Sequence, residues 1–269
     1  MVRKGYKMFT KRPSKIIFWF FSCALLSNIS IATDAPKTSA GRRPCVQAEK
    51  DFLTLLGLRE DANDTEIIQL LDIPEKQIFA TALVSYRKTY SAVPKLLQIV
   101  NDSNTLLPAK IAAADTLCYL GNKEWMAVIK PLSLDPNGFI ARTPLKIKVA
   151  GLLARAGDYS QFEIVAAAVS DRREYVRFSG IWELANFRHK TEPVTDLAVE
   201  LLVSVATTNP DLRLREQAIL SLEKIAKIKT EVTSKVINVV EANLDSSDEM
   251  FRLVCRAKLK KYGIRTKKD

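Results

Sequence analysis

The only histidine, His189, sets a narrow limit on the chemistry this chain can do. A Ser-His-Asp or Cys-His relay needs an imidazole as general base, so any such relay would have to be built on His189. That residue stands in Phe187-Arg188-His189-Lys190, ahead of Thr191-Glu192-Pro193. The run reads as a basic helix end, where a surface histidine suits the negative pole of the helix dipole. One histidine cannot supply a histidine-rich metal centre. No Cys-x-x-Cys pair and no glycine-rich phosphate loop occur. Carboxylates are plentiful, yet no pair stands out from solvated helix faces. The expectation is a chain that is not an enzyme, with no catalytic residue, no metal and no cofactor.

A second set of residues is better marked. Lys110, Lys146, Arg177, Arg215 and Arg252 open five segments that align without gaps: KIAAADTLCYLG, KIKVAGLLARAG, RFSGIWELANFR, REQAILSLEKIA and RLVCRAKLKKYG. Stacked helices lie ~8–10 Å apart, so these side chains would form a ladder along one edge. In one reading, Asp171, Asp211 and Asp248 alternate with the arginines in an inter-repeat ion network, because an unpaired ladder of like charges would repel itself. In the other, the ladder binds an acidic or phosphate-bearing partner. Trp125, Trp182 and Tyr119 are the large aromatics expected to be partly exposed. Trp182 lies beside the apolar stripe of its segment, so it joins the ladder as a candidate partner-binding residue; the alternative is core filling.

The elements that would carry these residues follow from the same alignment. The segments start 36, 31, 38 and 37 residues apart, a period that belongs to stacked helical hairpins. Counting from the basic residue, offset −1 is apolar throughout (Ala109, Leu145, Val176, Leu214, Phe251). Offset +3 is small or β-branched (Ala113, Val149, Gly180, Ala218, Cys255), and offset +7 is always leucine (Leu117, Leu153, Leu184, Leu222, Leu259). Offset +10 is apolar again (Leu120, Ala156, Phe187, Ile225, Tyr262). These offsets trace one stripe on a helix of 3.6 residues per turn. Small residues at +3 would let a neighbouring helix approach closely. Between the repeated helices lie apolar partners at Ala92–Val100, Trp125–Leu132, Tyr159–Val169, Val194–Val205 and Val232–Leu244. Gly121, Gly157 and Gly263 sit just past helix ends, where a left-handed cap suits glycine.

The run Asp171-Arg172-Arg173-Glu174-Tyr175-Val176-Arg177, followed by Gly180 and Leu184, closely resembles the D-x-x-x-x-V-R-x-x-A-x-x-x-L pattern of HEAT repeats, including the phycobilisome-lyase-like type of bacterial exported proteins. Asp211 to Leu222 and Asp248 to Leu259 are similar, while the Lys110 and Lys146 copies depart from it in having Lys for Arg. The resemblance implies an all-α fold: a right-handed α-α superhelix, or HEAT-like solenoid, of about five helical hairpins over residues 91–263. It implies a partner held along the concave face. It is weak for function, since such arrays scaffold, transport, act as lyases and bind nucleic acid. Residues 50–90 are less regular. Leu53–Leu58, a capped turn through Asp61–Glu66, and Ile67–Leu71 read as helix, turn, helix. Ile78–Tyr86 reads as a degenerate first repeat, and the whole stretch as an N-terminal helical cap.

The formal charge of +11 is concentrated at the two ends. Residues 1–32 carry six basic side chains and no acid, and residues 252–269 carry eight basic and one acid, so the body between holds 27 basic and 29 acidic residues. The first segment has a basic start, the apolar run Ile16–Leu26 and small residues at Ser30 and Ala32, the order of a secretory signal. An uncleaved anchor over 16–32 is the main alternative, and a lipoprotein signal ending at Cys23 a lesser one. Residues 33–49 read as a flexible linker and 264–269 as a basic tail. Cys118 and Cys255 read as small buried hydrophobes, and Cys45 in the linker leaves open a pairing with Cys118 or another chain.

These observations predict an exported, monomeric, non-catalytic scaffold, periplasmic or secreted, binding a protein partner of unknown identity through Lys110, Lys146, Arg177, Trp182, Arg215 and Arg252. The alternatives are a polyanion- or membrane-surface-binding module acting through residues 252–269, and a cryptic lyase of the HEAT type. Nucleic acid is disfavoured, because aromatic residues are sparse among the basic ones of the tail.

Overall fold

The computed structural model describes residues 47–134 and 143–264. The expected signal, nearly all of the linker with Cys45 and the tail beyond Ile264 lie outside the described residues. The described residues are all-α, with thirteen helices and no strand. They belong to two compact units that part after Leu120.

The first unit begins with α1 (Gln47–Leu56) and α2 (Asp64–Gln69), a 3-10 turn at Leu70–Asp72, and α3 (Gln77–Arg87). The capped turn predicted before Ile67 is present: Glu66 N–H donates to Asn63 Oδ1 at 3.0 Å, and Asn63 N–H donates to Glu66 Oε2 at 2.8 Å. This reciprocal pair satisfies two otherwise orphaned donors. Arg87 ties the turn to α1 and α3, donating to Glu49 Oε1 and to the Ala62 carbonyl, each at 2.6 Å. The hairpin α4 (Val93–Asn101) and α5 (Leu107–Tyr119) completes this unit, with α5 packed on both α3 and α4. Thus the first of the five expected hairpins packs with α3. In α3 the repeat pattern persists in weakened form, with Ala80 and Val84 fully buried where offsets +3 and +7 from Gln77 fall.

The second unit holds the other four hairpins: α6 (Met126–Leu134) with α7 (Thr143–Arg155), α8 (Phe162–Ala168) with α9 (Glu174–Leu184), α10 (Pro193–Thr208) with α11 (Leu212–Ala226), and α12 (Val232–Ala242) with α13 (Glu249–Lys261). Within it α9 packs against α7 and α11, and α10 against α8 and α12, so like helices stack layer on layer. That is the helical-repeat packing of a HEAT-like solenoid. Helices of this length are marginal alone, and the layers above and below stabilise them.

The predicted register holds. All five leucines at offset +7 are fully buried, each worth ~1.5–3 kcal/mol in apolar burial. Gly180 shows why offset +3 is small: a Cβ there would stand 2.9 Å from Ala168 Cβ and 3.0 Å from Val169 N of the partner α8. Gly121 and Gly157 adopt φ of 83° and 97° just past α5 and α7, a backbone that L side chains rarely adopt. Two expectations need correction. Trp125 is fully buried, with its indole N–H donating to the Asn122 carbonyl at 2.9 Å, so it offers no exposed ring. Leu145, at offset −1, is only half-buried, unlike its four counterparts.

Candidate anion-binding site

A second stripe runs one residue behind the core stripe on each repeated helix, at offsets +2, +5, +6 and +9. Its +6 residue faces the preceding repeated helix. In α11 this is Ser221, fully buried, whose hydroxyl donates to the Ile181 carbonyl of α9 at 2.9 Å. In α5 it is Thr116, which donates to the Thr81 carbonyl of α3 at 3.0 Å. In α9 the position belongs to Glu183, a carboxyl side chain in place of a hydroxyl.

Glu183 turns into the notch that Gly151 leaves on α7. A Cβ at Gly151 would stand 2.0 Å from Glu183 Oε2, so only glycine leaves room for the carboxylate. The Glu183 side chain is 2% exposed and meets Lys148 Nζ, itself 12% exposed, at 3.3 Å. Asn186 Nδ2 donates to its other oxygen at 2.5 Å. Removing one partner of a buried pair costs about 3–5 kcal/mol, so Lys148 is the partner on which the buried Glu183 side chain depends.

Around this pair stand more cations. Lys224, at offset +9 of α11, places Nζ 3.6 Å from the centroid of the half-buried Trp182 ring. Burial lowers the Lys224 ammonium to about 8; Glu183 opposes the shift, while Arg188, Arg155 and Lys148 add to it. Burial also lowers Arg188, the neighbouring Arg155 adds to the effect, and Tyr159 opposes it. Among the described residues, neither Arg188 nor Lys224 has a carboxylate within ion-pair distance. Tyr159 borders the group, its ring centroid 6.1 Å from Phe187 and 6.3 Å from His189. Burial raises the Tyr159 phenol, Glu192 raises it further, and Arg188 pulls it down.

Lys148 thus pairs with Glu183 and Lys224 stands over Trp182, while Arg155 and Arg188 bear on the Lys224 charge. Cations that are desolvated and push one another's charge down gain most from an incoming anion. The guanidinium of Arg188 adds a planar donor fork, and the indole adds a flat apolar wall. Among the described residues, no group of three or more His, Cys, Asp or Glu is placed to hold a metal ion.

The six residues singled out from the sequence fall in different places. Trp182 lies in the cationic group. Arg177 sits at the start of α9, with Nη1 donating to the Asp171 and Arg172 carbonyls at 2.9 and 3.0 Å. Arg215 donates to the Asn209 carbonyl and, at 3.1 Å, to Asn243 Oδ1. Arg252 donates to the Ser246 carbonyl. The three arginines thus clamp the loops that precede their own helices. Lys110 and Lys146 are half-buried at the equivalent points of α5 and α7.

The expected Asp–Arg inter-repeat network is corrected accordingly. Asp171 binds Arg173, with Nε and Nη2 each at 2.9 Å, and this pairing holds its carboxyl well below the usual range. Asp211 and Asp248 cap α11 and α13, accepting from Arg213 N at 2.9 Å and Phe251 N at 2.7 Å. A capping carboxylate already has close backbone donors, so Arg215 and Arg252, further along the same helices, turn to loop carbonyls instead. In the basic C-terminal stretch, Lys258 Nζ meets Glu223 at 2.7 Å and Lys261 Nζ meets it at 3.6 Å, so part of that charge is balanced by α11. Sequence reasoning missed Lys148, Glu183, Arg188 and Lys224. The signal present was a polar residue at +6, the buried side of a repeated helix.

No family model matches this chain, and no curated protein matches it. Among solved structures it is similar to human deoxyhypusine hydroxylase in complex with glycerol, with a TM-score of 0.35 and 15% identity over 92% of this chain and 99% of that one. A likeness of this degree shows neither a specific family nor an exported bacterial type. It also corrects the expectation that the chain is not an enzyme. The similar structure is an enzyme's, and a likeness of this degree transfers no reaction.

Proposed function

We propose that this chain is a helical-repeat scaffold that binds a protein partner, and that the partner presents an acidic segment to the α7–α9–α11 face. The single observation behind the reading is Lys224, partly buried with its ammonium 3.6 Å from the Trp182 ring centroid and no carboxylate in ion-pair range among the described residues. Uncompensated half-buried cations destabilise the free chain, and an acidic ligand relieves that cost. Trp182 supplies the rigid apolar contact that such interfaces concentrate in a few residues. Arg177, Arg215 and Arg252 then act by holding the loops at the helix starts, with Lys146 as a further contact. The basic-apolar-small order of residues 1–32 supports a setting outside the cytoplasm.

Affinity capture of the native chain from its own compartment tests this. A reproducible partner is expected, released by rising salt and lost from the Trp182→Ala and Lys224→Glu variants. A partner retained equally by both variants would place the interface elsewhere. Fractionation of chains with and without residues 1–32 tests the compartment: both versions remaining in the cytoplasm would reject export.

A further inference from the structure

We infer that the exposed face of α13 docks on an anionic lipid surface, with Met250 and Leu253 entering the interface and Arg256, Lys260 and Lys261 meeting the headgroups. This surface is on a different helix from Trp182 and Lys224 and goes beyond the partner-binding reading.

The repeated helices of the second unit turn offsets +1 and +5 toward the next repeated helix. In α7 these are Ile147, fully buried, and Gly151, which receives Glu183 of α9. In α9 offset +5 is Trp182, met by Lys224 of α11. No described helix follows α13, and its equivalents lie open: Leu253 is 45% exposed, and Ala257 is exposed. Met250, 69% exposed, extends the same side by one turn, and Val254 borders it half-buried. Positions 250, 253, 254 and 257 share one face of a helix. A terminal repeat of a solenoid ordinarily turns a polar face outward, and this one does not.

The charge on this helix is nearly of one sign. α13 carries five basic side chains and one acid, Glu249, at its first residue. Arg252 is engaged with the Ser246 carbonyl, and Lys258 with Glu223 at 2.7 Å. Lys260 is exposed and Arg256 half-buried, and neither has a carboxylate in ion-pair range among the described residues. Lys261 reaches Glu223 only at 3.6 Å and stays 65% exposed. An apolar strip flanked by such cations suits a helix lying in the headgroup layer. The strip leaves water, the long basic stems snorkel, and anionic lipids supply the counter-charge. A nucleic acid would match the cations but leave Met250 and Leu253 in water. With 13 residues, α13 is too short to cross a ~30 Å hydrocarbon core, so the contact is with the surface.

Lipid nanodiscs test the inference, with the full chain carrying isotope-labelled methionine methyls. Met250 is one of four methionines, and M250L assigns its signal. Nanodiscs of phosphatidylglycerol and phosphatidylcholine in equal parts, doped with doxyl-labelled lipid, should broaden the Met250 methyl resonance. Nanodiscs of phosphatidylcholine alone should leave it sharp. Rising salt should reverse the broadening, and the apparent affinity read at Met250 should fall about fivefold or more in K260Q and in L253D. Both positions are exposed, so both variants should keep the wild-type far-UV circular dichroism. A Met250 methyl that stays sharp on anionic nanodiscs overturns the inference, even if the chain binds them through its apolar run Ile16–Leu26, because the readout is local. Equal broadening on phosphatidylcholine alone, or broadening unchanged in both variants, overturns it as well. A Met250 shift that grows with chain concentration without lipid assigns the face to a second copy instead. A shift with duplex DNA as large as that with anionic nanodiscs assigns it to nucleic acid. None of these outcomes bears on the Trp182 face, whose partner is tested separately.

Discussion

Ser221 Oγ donates to the Ile181 carbonyl at 2.9 Å, a hydrogen bond 40 residues apart in sequence that joins adjacent repeated helices. Thr116 makes the same bond to Thr81 at 3.0 Å, again from offset +6 to offset +4 of the preceding repeated helix. The Ile181 carbonyl also belongs to its own helix, so the hydroxyl fills a second lone pair rather than competing with helix formation. Ser221→Ala should therefore destabilise the second unit by about 1 kcal/mol without changing its fold. Urea unfolding checks it: the midpoint should fall while the slope stays constant. An unchanged midpoint would mean that the bond contributes nothing net.

Glu183 breaks this rule at the α7–α9 contact, and the break makes a double-mutant prediction. Lys148→Met leaves Glu183 buried without its cation and should cost about 3 kcal/mol. Glu183→Gln in the same chain removes the stranded charge and should recover most of that loss, since the introduced amide oxygen can still accept from Asn186. Denaturant melts of the two singles and the double give the coupling. Independent, additive losses would show that the two groups do not act as a pair. Gly151→Ala makes a separate check, because its Cβ would stand 2.0 Å from the Glu183 carboxylate and must expel it.

The repeated helices were legible in the sequence because their signal is local and redundant. Five leucines at offset +7 and five small or β-branched residues at +3 state the same stripe five times, and each proves buried. The cationic group was not legible, for two reasons. Its members come from several elements: Lys148 and Arg155 from α7, Glu183 from α9, Arg188 from the loop after it, and Lys224 from α11. The alignment of the copies brings only Arg155 and Lys224 into one column, offset +9, and scatters the rest. The eye also goes to invariant columns, and the invariant basic column marks loop clamps, as the Arg177 bonds to the Asp171 and Arg172 carbonyls show. The departure at Glu183, within a position otherwise held by hydroxyls in α5 and α11, carried the information instead.

Lys224 gives a pH-dependent prediction whose sign is fixed by burial. Its folded value, about 8, lies below the ~10.4 of an unfolded lysine. Between those values the unfolded chain binds more protons, so stability rises with pH there; the cost of the charged ammonium is fully present below about 8. Glu183 faces the ammonium and lessens this cost, while Arg188, Arg155 and Lys148 face it and add to it. The stacked Trp182 ring and the partial exposure of the side chain reduce the net effect. Lys224→Met should thus stabilise the free chain by ~1 kcal/mol at pH 7, and the gain should vanish near pH ~10.5. Paired urea melts at the two pH values check it. A Lys224→Met chain less stable at pH 7 would mean that the contact with Trp182 outweighs the cost of burial.

Leu184 tests the register on which the whole placement depends. It is fully buried within the second unit's core, among Ile181, Phe187 and the facing residues of α8 and α10. If offset +7 points between layers, Leu184→Asp puts a carboxylate where neither water nor a cation can meet it. Such a group costs more than an ordinary surface substitution, by an amount comparable to the ~5–15 kcal/mol stability of a whole domain. Leu197, 49% exposed on α10, provides the contrast: Leu197→Asp adds the same charge at a solvated position and should shift stability by less than about 0.5 kcal/mol. Circular dichroism melts should show a cooperative transition for Leu197→Asp and none for Leu184→Asp. A cooperative melt of Leu184→Asp near the wild-type midpoint would shift every offset by a residue. It would move the carboxylate at position 183 out of the Gly151 notch, and the cationic group would lose its centre.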